Sequence, residues 1–209
     1  MTDPTDGAAV PFRDVLARRR MCRDYLDAPV DRAVLDRVLA AAFRGPAAGN
    51  TAALDLVVLE GAETARYWDV TLPSDRRASF PWPGLLRAPV LVVPLVDPDA
   101  YVERYGREDK AGTGLGDGAG AWPVPYWFVD GGAAVMALLL AAEAEGLGAL
   151  LFGQFEHEPA VLAELGVPPG RRALGTVAVG HPAPGGRRPS RSAVGGRPAP
   201  SAHVHRRAW

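Results

Sequence analysis

Residues 12–50 read FRDVLARRRMCRDYLDAPVDRAVLDRVLAAAFRGPAAGN, and the apolar run LDLVVLEG follows at 54–61. Phe12, Val15 and Leu16 recur at helical spacing, so 12–20 is predicted to be a helix. Val34, Leu35, Val38, Leu39 and Ala42 form the apolar stripe of a second amphipathic helix over 31–43, which Gly45 and Pro46 stop. Arg19 and Arg20 at the end of the first helix, and Arg23 just beyond it, fall in the stretch RRMCRDY. A guanidinium donates two parallel hydrogen bonds to an oxyanion, so clustered arginines near a helix start suit a phosphate dianion. Lysine occurs once, at Lys110, so the 23 basic residues are nearly all arginine, and a solvated charged face is the competing reading.

Working outward, Leu54–Leu59 and Pro89–Val96 are short β-branched runs bounded by turn residues, predicted to be strands buried on both faces. The stretch 67–87, with Pro73, Pro81 and Pro83, reads as a short helix and a loop. Asp130 is placed to cap a helix from Gly131 to about Glu145, ended by Gly146. That helix is apolar on nearly every side and needs cover all round, which a partner subunit can supply. Leu174–Gly180 is a further strand. From Pro182 the composition turns to Pro, Gly, Ser and Arg, dividing the chain into a domain over 1–181 and an extension over 182–209.

At 209 residues and 48% hydrophobic, the chain is long enough for one cored domain. A net charge of -1 offers no global field for nucleic acid or an anionic membrane. The lone Cys22 excludes an intrachain disulfide and a cysteine zinc site, and agrees with a reducing, cytoplasmic setting. The start MTDPTDGAAVPF lacks the basic and apolar regions of an export signal. The longest apolar window, Gly131–Ala142, is shorter than the roughly 20 residues that cross a bilayer.

The ordered pattern of 12–61 resembles the start of the nitroreductase family of FMN-dependent oxidoreductases, with Arg19, Arg20, Arg23 and Tyr25 on its RRSxRxF-like motif and Pro46 and Asn50 on its P-S-x-x-N-x-Q-P-W motif. Met21 stands where the first motif has serine. Ala47, Ala52, Ala53 and Leu54 replace the Ser, Gln, Pro and Trp of the second. The stretch DGGAAVMALLLAAEAEGLGALLFG from Asp130 resembles the family's central helix and next strand, and GHP at 180–182 its common strand ending.

The resemblance implies an α+β fold, a three-layer α/β/α sandwich with a mixed, mainly antiparallel sheet, in an intertwined homodimer that binds FMN. It implies hydride transfer from NAD(P)H through flavin N5 to a nitroaromatic, quinone or activated alkene. Arg19, Arg20 and Arg197 would hold the phosphate, with Arg191 as the alternative to Arg197. Arg23 and Asn50 would take the pyrimidine and ribityl side, and the Phe152 and Gly153 backbone N5 and O4. Trp122, Tyr126 and Trp127 occupy the place of the family's substrate cover, and plain core packing is equally open for them. For 182–209 two readings stay open, a disordered basic extension or a segment wrapping the partner. Other functions in view are a specialised biosynthetic flavin dehydrogenase, a flavin-consuming enzyme, or a flavin-binding storage or sensor protein.

The glycine run GTGLGDGAG at 112–120 lacks strict G-x-G-x-x-G spacing and follows a charged segment, so a glycine-rich loop is expected rather than a dinucleotide fingerprint. His157, Glu158, His203 and His205 form no recognisable ligand set, and no metal is expected.

Overall fold

The computed structural model describes residues 10–188, 195–196 and 198–209. In chain order, α1 (Phe12–Arg18) and α2 (Arg32–Ala41) precede β1 (Leu54–Glu60). Then come α3 (Thr64–Thr71), α4 (Ser74–Arg77), β2 (Val90–Val96), α5 (Pro98–Tyr105) and α6 (Tyr126–Ala144). The last elements are β3 (Gly148–Phe152), α7 (Glu158–Glu164), β4 (Arg172–Ala173) and β5 (Thr176–Gly180). The sheet runs β1-β2-β5-β3 with β4 against β2, every ladder antiparallel. A parallel bridge from Met21 to Ala149 adds the arginine segment beyond β3 and makes the sheet mixed.

Helices cover both faces. On one, Leu35 and Val38 of α2 and Leu138, Leu139 and Ala142 of α6 pack on Val90, Val92, Val177 and Val179. On the other, Tyr67 and Trp68 of α3 and Val161 of α7 meet Leu91, Val93, Leu150 and Ala178. This is the expected three-layer α/β/α arrangement. Burying a side chain such as Leu138 contributes about 1.5 to 3 kcal/mol, and a dozen such residues account for the cohesion of the layers.

The central strand β2, VLVVPLV, is buried at every position, as its unbroken apolar run implies. The matching expectation for β1 is corrected. Among the described residues β1 pairs only with β2, so it forms the sheet edge and leaves Asp55 and Glu60 exposed.

Two expectations for the central helix also change. It begins at Tyr126, one turn earlier than its apolar window, because Pro125 precedes it and needs no amide partner. Asp130 therefore lies inside α6 and caps nothing. At 19 residues the helix is long and apolar enough to cross a bilayer, unlike the shorter window, yet its Leu138 and Ala142 face lies in the core. It ends as predicted at Gly146, whose φ of 76° suits glycine, with Leu147 N–H donating to Ala142 O and Gly146 N–H to Glu143 O. Its outer side presents Val129 and Met136, near exposed Phe12 and Leu16 of α1.

Hydrogen bonding to the body continues past residue 181. Tyr25 bridges Pro182, Ala183 N–H donates to Asp24 O, and Arg23 N–H donates to Gly186 O. Arg187 pairs with buried Glu143 at 3.0 Å and donates to Leu147 O, tying this segment to the end of α6.

Candidate functional site

The arginine segment leaves α1 extended, held to β3 by the Met21 bridge and by Cys22 N–H donating to Ala149 O. Tyr25 anchors its far end. Its ring is fully buried, and its hydroxyl lies 2.9 Å from Cys22 O and 3.2 Å from Ala178 O. Burial pushes that hydroxyl well above the usual tyrosine range. Framed in this way, the three arginines differ. Arg19 is half-buried, and its Nη1 is enclosed with no hydrogen-bond acceptor. Arg20 is exposed, and its Nη1 donates to Ala17 O and Arg19 O at 2.8 Å. The free carbonyls at the end of α1 are its nearest acceptors. Arg23 lines a cavity of about 420 Å³ at the end of β3.

Phe152 and Gly153 line the same cavity, with Tyr67, Trp68, Phe80 and Trp82. Trp68 and Phe152 stack, 5.8 Å between centroids and 3° from parallel. Beyond Gly153 the backbone turns sharply, Gln154 in the right-handed region (φ -94°, ψ -25°) and Phe155 at φ 49°. A right-handed then left-handed pair directs successive amides into one concavity that suits negative charge. Among the described residues no protein acceptor takes the Gln154 or Phe155 amide. Gln154 is fixed from below, Nε2 donating to Thr176 Oγ1 at 2.9 Å, which donates to the Tyr67 hydroxyl at 3.0 Å. Burial pushes the Tyr67 hydroxyl up to about 12.

Asn50 opens elsewhere. With Tyr101, Asp130 and the 45–55 loop it lines a second cavity of about 460 Å³. Gly49 (φ 64°) and Asn50 (φ 54°) are consecutive left-handed residues. A Cβ at 49 would fall 2.8 Å from the Tyr105 ring, so glycine is required there. Ala48 N–H donates to Asp130 Oδ2 at 2.6 Å, and Arg104 Nε donates to Gly49 O at 2.8 Å. The Tyr101 hydroxyl also donates to Asp130 Oδ2, at 2.8 Å; burial first and this bond second push Tyr101 far above its usual range.

Thus Arg23, Phe152 and Gly153 share one cavity, while Asn50 faces another within the same chain. Trp122 and Trp127 are buried against Tyr101, and the Trp122 indole donates to Leu115 O at 2.9 Å. Trp122 and half-exposed Tyr126 line a small third cavity of about 220 Å³ beside Ala48. Trp127 sits in the packed cluster. Arg197 and Arg191 lie outside the described residues. The 111–121 stretch makes three tight turns packed back on Gly106, with no strand entering and no helix leaving at its glycines. Among the described residues no three His, Cys, Asp or Glu side chains gather as a metal set.

Sequence reasoning missed Asp130 as a buried acceptor, Arg104 as a loop clamp, and the Gln154–Phe155 amides. For Asp130 a signal existed, since Pro125 competes as the helix start. For Phe155 there was none, because a left-handed phenylalanine leaves no compositional mark.

The model of the nitroreductase family matches residues 16–181. Solved structures share the fold. The oxidoreductase YcnD from Bacillus subtilis, described as hypothetical, superposes with a TM-score of 0.71 at 21% identity, over 95% of this chain and 74% of that one. An FMN-dependent nitroreductase from Clostridium difficile gives 0.66 at 18%, over 93% and 98%. Nitroreductase A from Vibrio parahaemolyticus gives 0.66 at 20%, over 95% and 76%. At these identities the likeness is one of fold.

Proposed function

This chain belongs to the nitroreductase family, and from that premise we propose that it is a cytoplasmic, homodimeric FMN-dependent oxidoreductase that takes hydride from NAD(P)H and passes it to a nitroaromatic, quinone or activated alkene. The observation that carries the reading is the cavity at the end of β3, where Arg23, stacked aromatic rings and the segment with unpaired amides meet. The residues present fit a flavin mononucleotide. The buried Arg19 Nη1 lacks an acceptor, a state that costs about 1 to 3 kcal/mol and that a phosphate oxygen would relieve.

In this assignment Arg19 and Arg20 hold the phosphate, joined by Arg197, and Arg23 and Asn50 take the ribityl and pyrimidine side. When bound, the flavin supplies a two-electron carrier between nicotinamide and acceptor. The backbone amides from Phe152 and Gly153 on to Phe155 would stabilise negative charge on the bound flavin without an ionisable group. The rings of Trp68, Phe80 and Phe152 exclude water from that wall. Trp122, Tyr126 and Trp127 are assigned to the acceptor side.

Supporting the homodimer is the uncovered apolar surface of Phe12, Leu16, Phe43, Val129 and Met136. The two separate cavities suit a site completed by two subunits, Asn50 from one and Arg23 from the other. The extension is assigned to the partner's surface. Trp209 is fully exposed within its own chain, its ring centroid 4.3 Å from that of His205.

The purified protein tests the proposal directly. A flavin absorbance spectrum with about one FMN per subunit, and NADH or NADPH oxidation dependent on added quinone, are expected. Protein that is colourless and does not take up FMN overturns it. Flavin without turnover would leave a binding protein.

A further inference from the structure

Four side chains from three parts of the chain converge on the four backbone residues 47–50. Asp130 of α6 accepts from Ala48 N–H at 2.6 Å, and Arg104 of α5 donates to Gly49 O at 2.8 Å. Thr51 Oγ1 donates to Ala48 O at 2.6 Å, and Tyr101 holds Asp130 from behind at 2.8 Å. Arg104 is itself fixed by a two-pronged pair with Asp109, 2.8 and 2.7 Å. A buried carboxylate and a half-buried guanidinium are costly means of holding an Ala-Ala-Gly turn. What they hold in place is unusual backbone: Asn50 sits at φ 54°, a left-handed conformation uncommon outside glycine and most open to Asn and Asp among side-chain-bearing residues. Among the described residues the exposed Asn50 carboxamide has no hydrogen-bond partner, while Asn50 lines the second cavity.

We propose that Asp130 and Arg104 are positioning residues, which hold the 47–50 backbone so that Asn50 presents its carboxamide to the flavin. The assignment rests on the flavin reading above. Both act through Asn50 and touch no reacting atom. The Asp130 bond to Ala48 N–H sets one end of the turn and the Arg104 bond to Gly49 O the other, leaving Asn50 one conformation to occupy before the cofactor arrives. That preorganisation lowers the ordering cost of binding.

The test is a double-mutant cycle read in FMN affinity by fluorescence titration, with melting temperature recorded alongside. Asp130→Ala and Arg104→Ala are each expected to weaken FMN up to about tenfold, the worth of the one neutral carboxamide hydrogen bond they position. In an Asn50→Gly background, which keeps the left-handed turn but removes the carboxamide, the same substitutions are expected to cost no further affinity. A merely structural role would cost the same in both backgrounds, and that result, or unchanged affinity in both single variants, overturns the proposal. Arg104→Ala, at a partly exposed site, carries the test alone if Asp130→Ala does not fold. Amide hydrogen exchange over 47–51 in cofactor-free protein gives a reading independent of FMN. Faster exchange in either variant is expected, and unchanged exchange overturns the clamp. Wild-type protein that takes up no FMN would sink the flavin reading instead, with the exchange result still judging the clamp.

Discussion

The Phe155 ring lies across the backbone of Gly153, so close that a Cβ at 153 would fall 2.7 Å from Cζ of the ring. The ring holds that place from a left-handed backbone and with 82% of the residue exposed, so neither burial nor backbone preference keeps it there. Strain of this kind costs on the order of 1 to 3 kcal/mol and collects at functional sites. Phe155→Gly is therefore expected to raise the unfolding free energy by about 1 kcal/mol. Gly153→Ala is expected to push the exposed ring aside at a cost below about 1 kcal/mol, and to be neutral in the Phe155→Gly background. Urea unfolding of the four proteins measures both.

The three arginines are expected to separate in flavin affinity. Arg19→Ala and Arg23→Ala should each weaken FMN roughly 10- to 150-fold, the worth of one charge-assisted contact of about 1.5 to 3 kcal/mol. Arg20 already donates to the carbonyls at the end of α1 and gives up those bonds to reach the phosphate, so Arg20→Ala should lose less. Fluorescence titration of stripped protein ranks the three.

Subunit association is expected to fail on the outer face of α6. Val129→Glu and Met136→Glu place charge on the exposed apolar strip and should convert a dimer to monomer in light scattering. Leu139 belongs to the inner face and is 4% exposed. Leu139→Ala should instead lower the stability of each subunit by about 2 to 5 kcal/mol, the usual loss for a buried leucine.

Deleting residues 189–209 decides between the two readings of the extension. If it wraps the partner and Arg197 reaches the phosphate, deletion should cost both dimer mass and FMN, and Arg197→Ala should weaken FMN alone. If it is a solvated tail, flavin content and melting temperature stay as they were. Residues up to Arg188 are kept because Arg187 pairs with Glu143.

Alkaline pH tests the buried tyrosines. The Tyr67 hydroxyl titrates near 12 in the folded protein and near 10 in the open chain. The folded value is the higher, so the contribution to stability is complete below pH 10 and is lost as pH rises through 12. A two-unit shift corresponds to about 3 kcal/mol at most. Tyr67→Phe should flatten the fall in unfolding free energy between pH 10 and 12.

By itself the sequence marked several elements one by one, and only its resemblance to a family implied the layers; neither α5 nor α7 was read from it. Periodicity marked α2, an unbroken apolar run marked β2, and Gly146 marked the end of α6, because each depends on residues close together in the chain. The motif spacing of Arg19, Arg23, Asn50 and the Phe152–Gly153 strand end was enough to indicate the family. Tertiary structure alone decided the rest. Asp130 reads as a cap until the fold brings Ala48 and Tyr101 to it, 82 and 29 residues away. Likewise β1 and β2 look alike as apolar runs, and only strand order makes one an edge. Asn50 and Arg23 open onto different cavities of the single chain, a separation that motif spacing does not reveal. The physical reason is common to all three. Local propensity acts over a turn or a strand, whereas charge pairing, burial and cavity walls are settled by contacts between segments far apart in sequence.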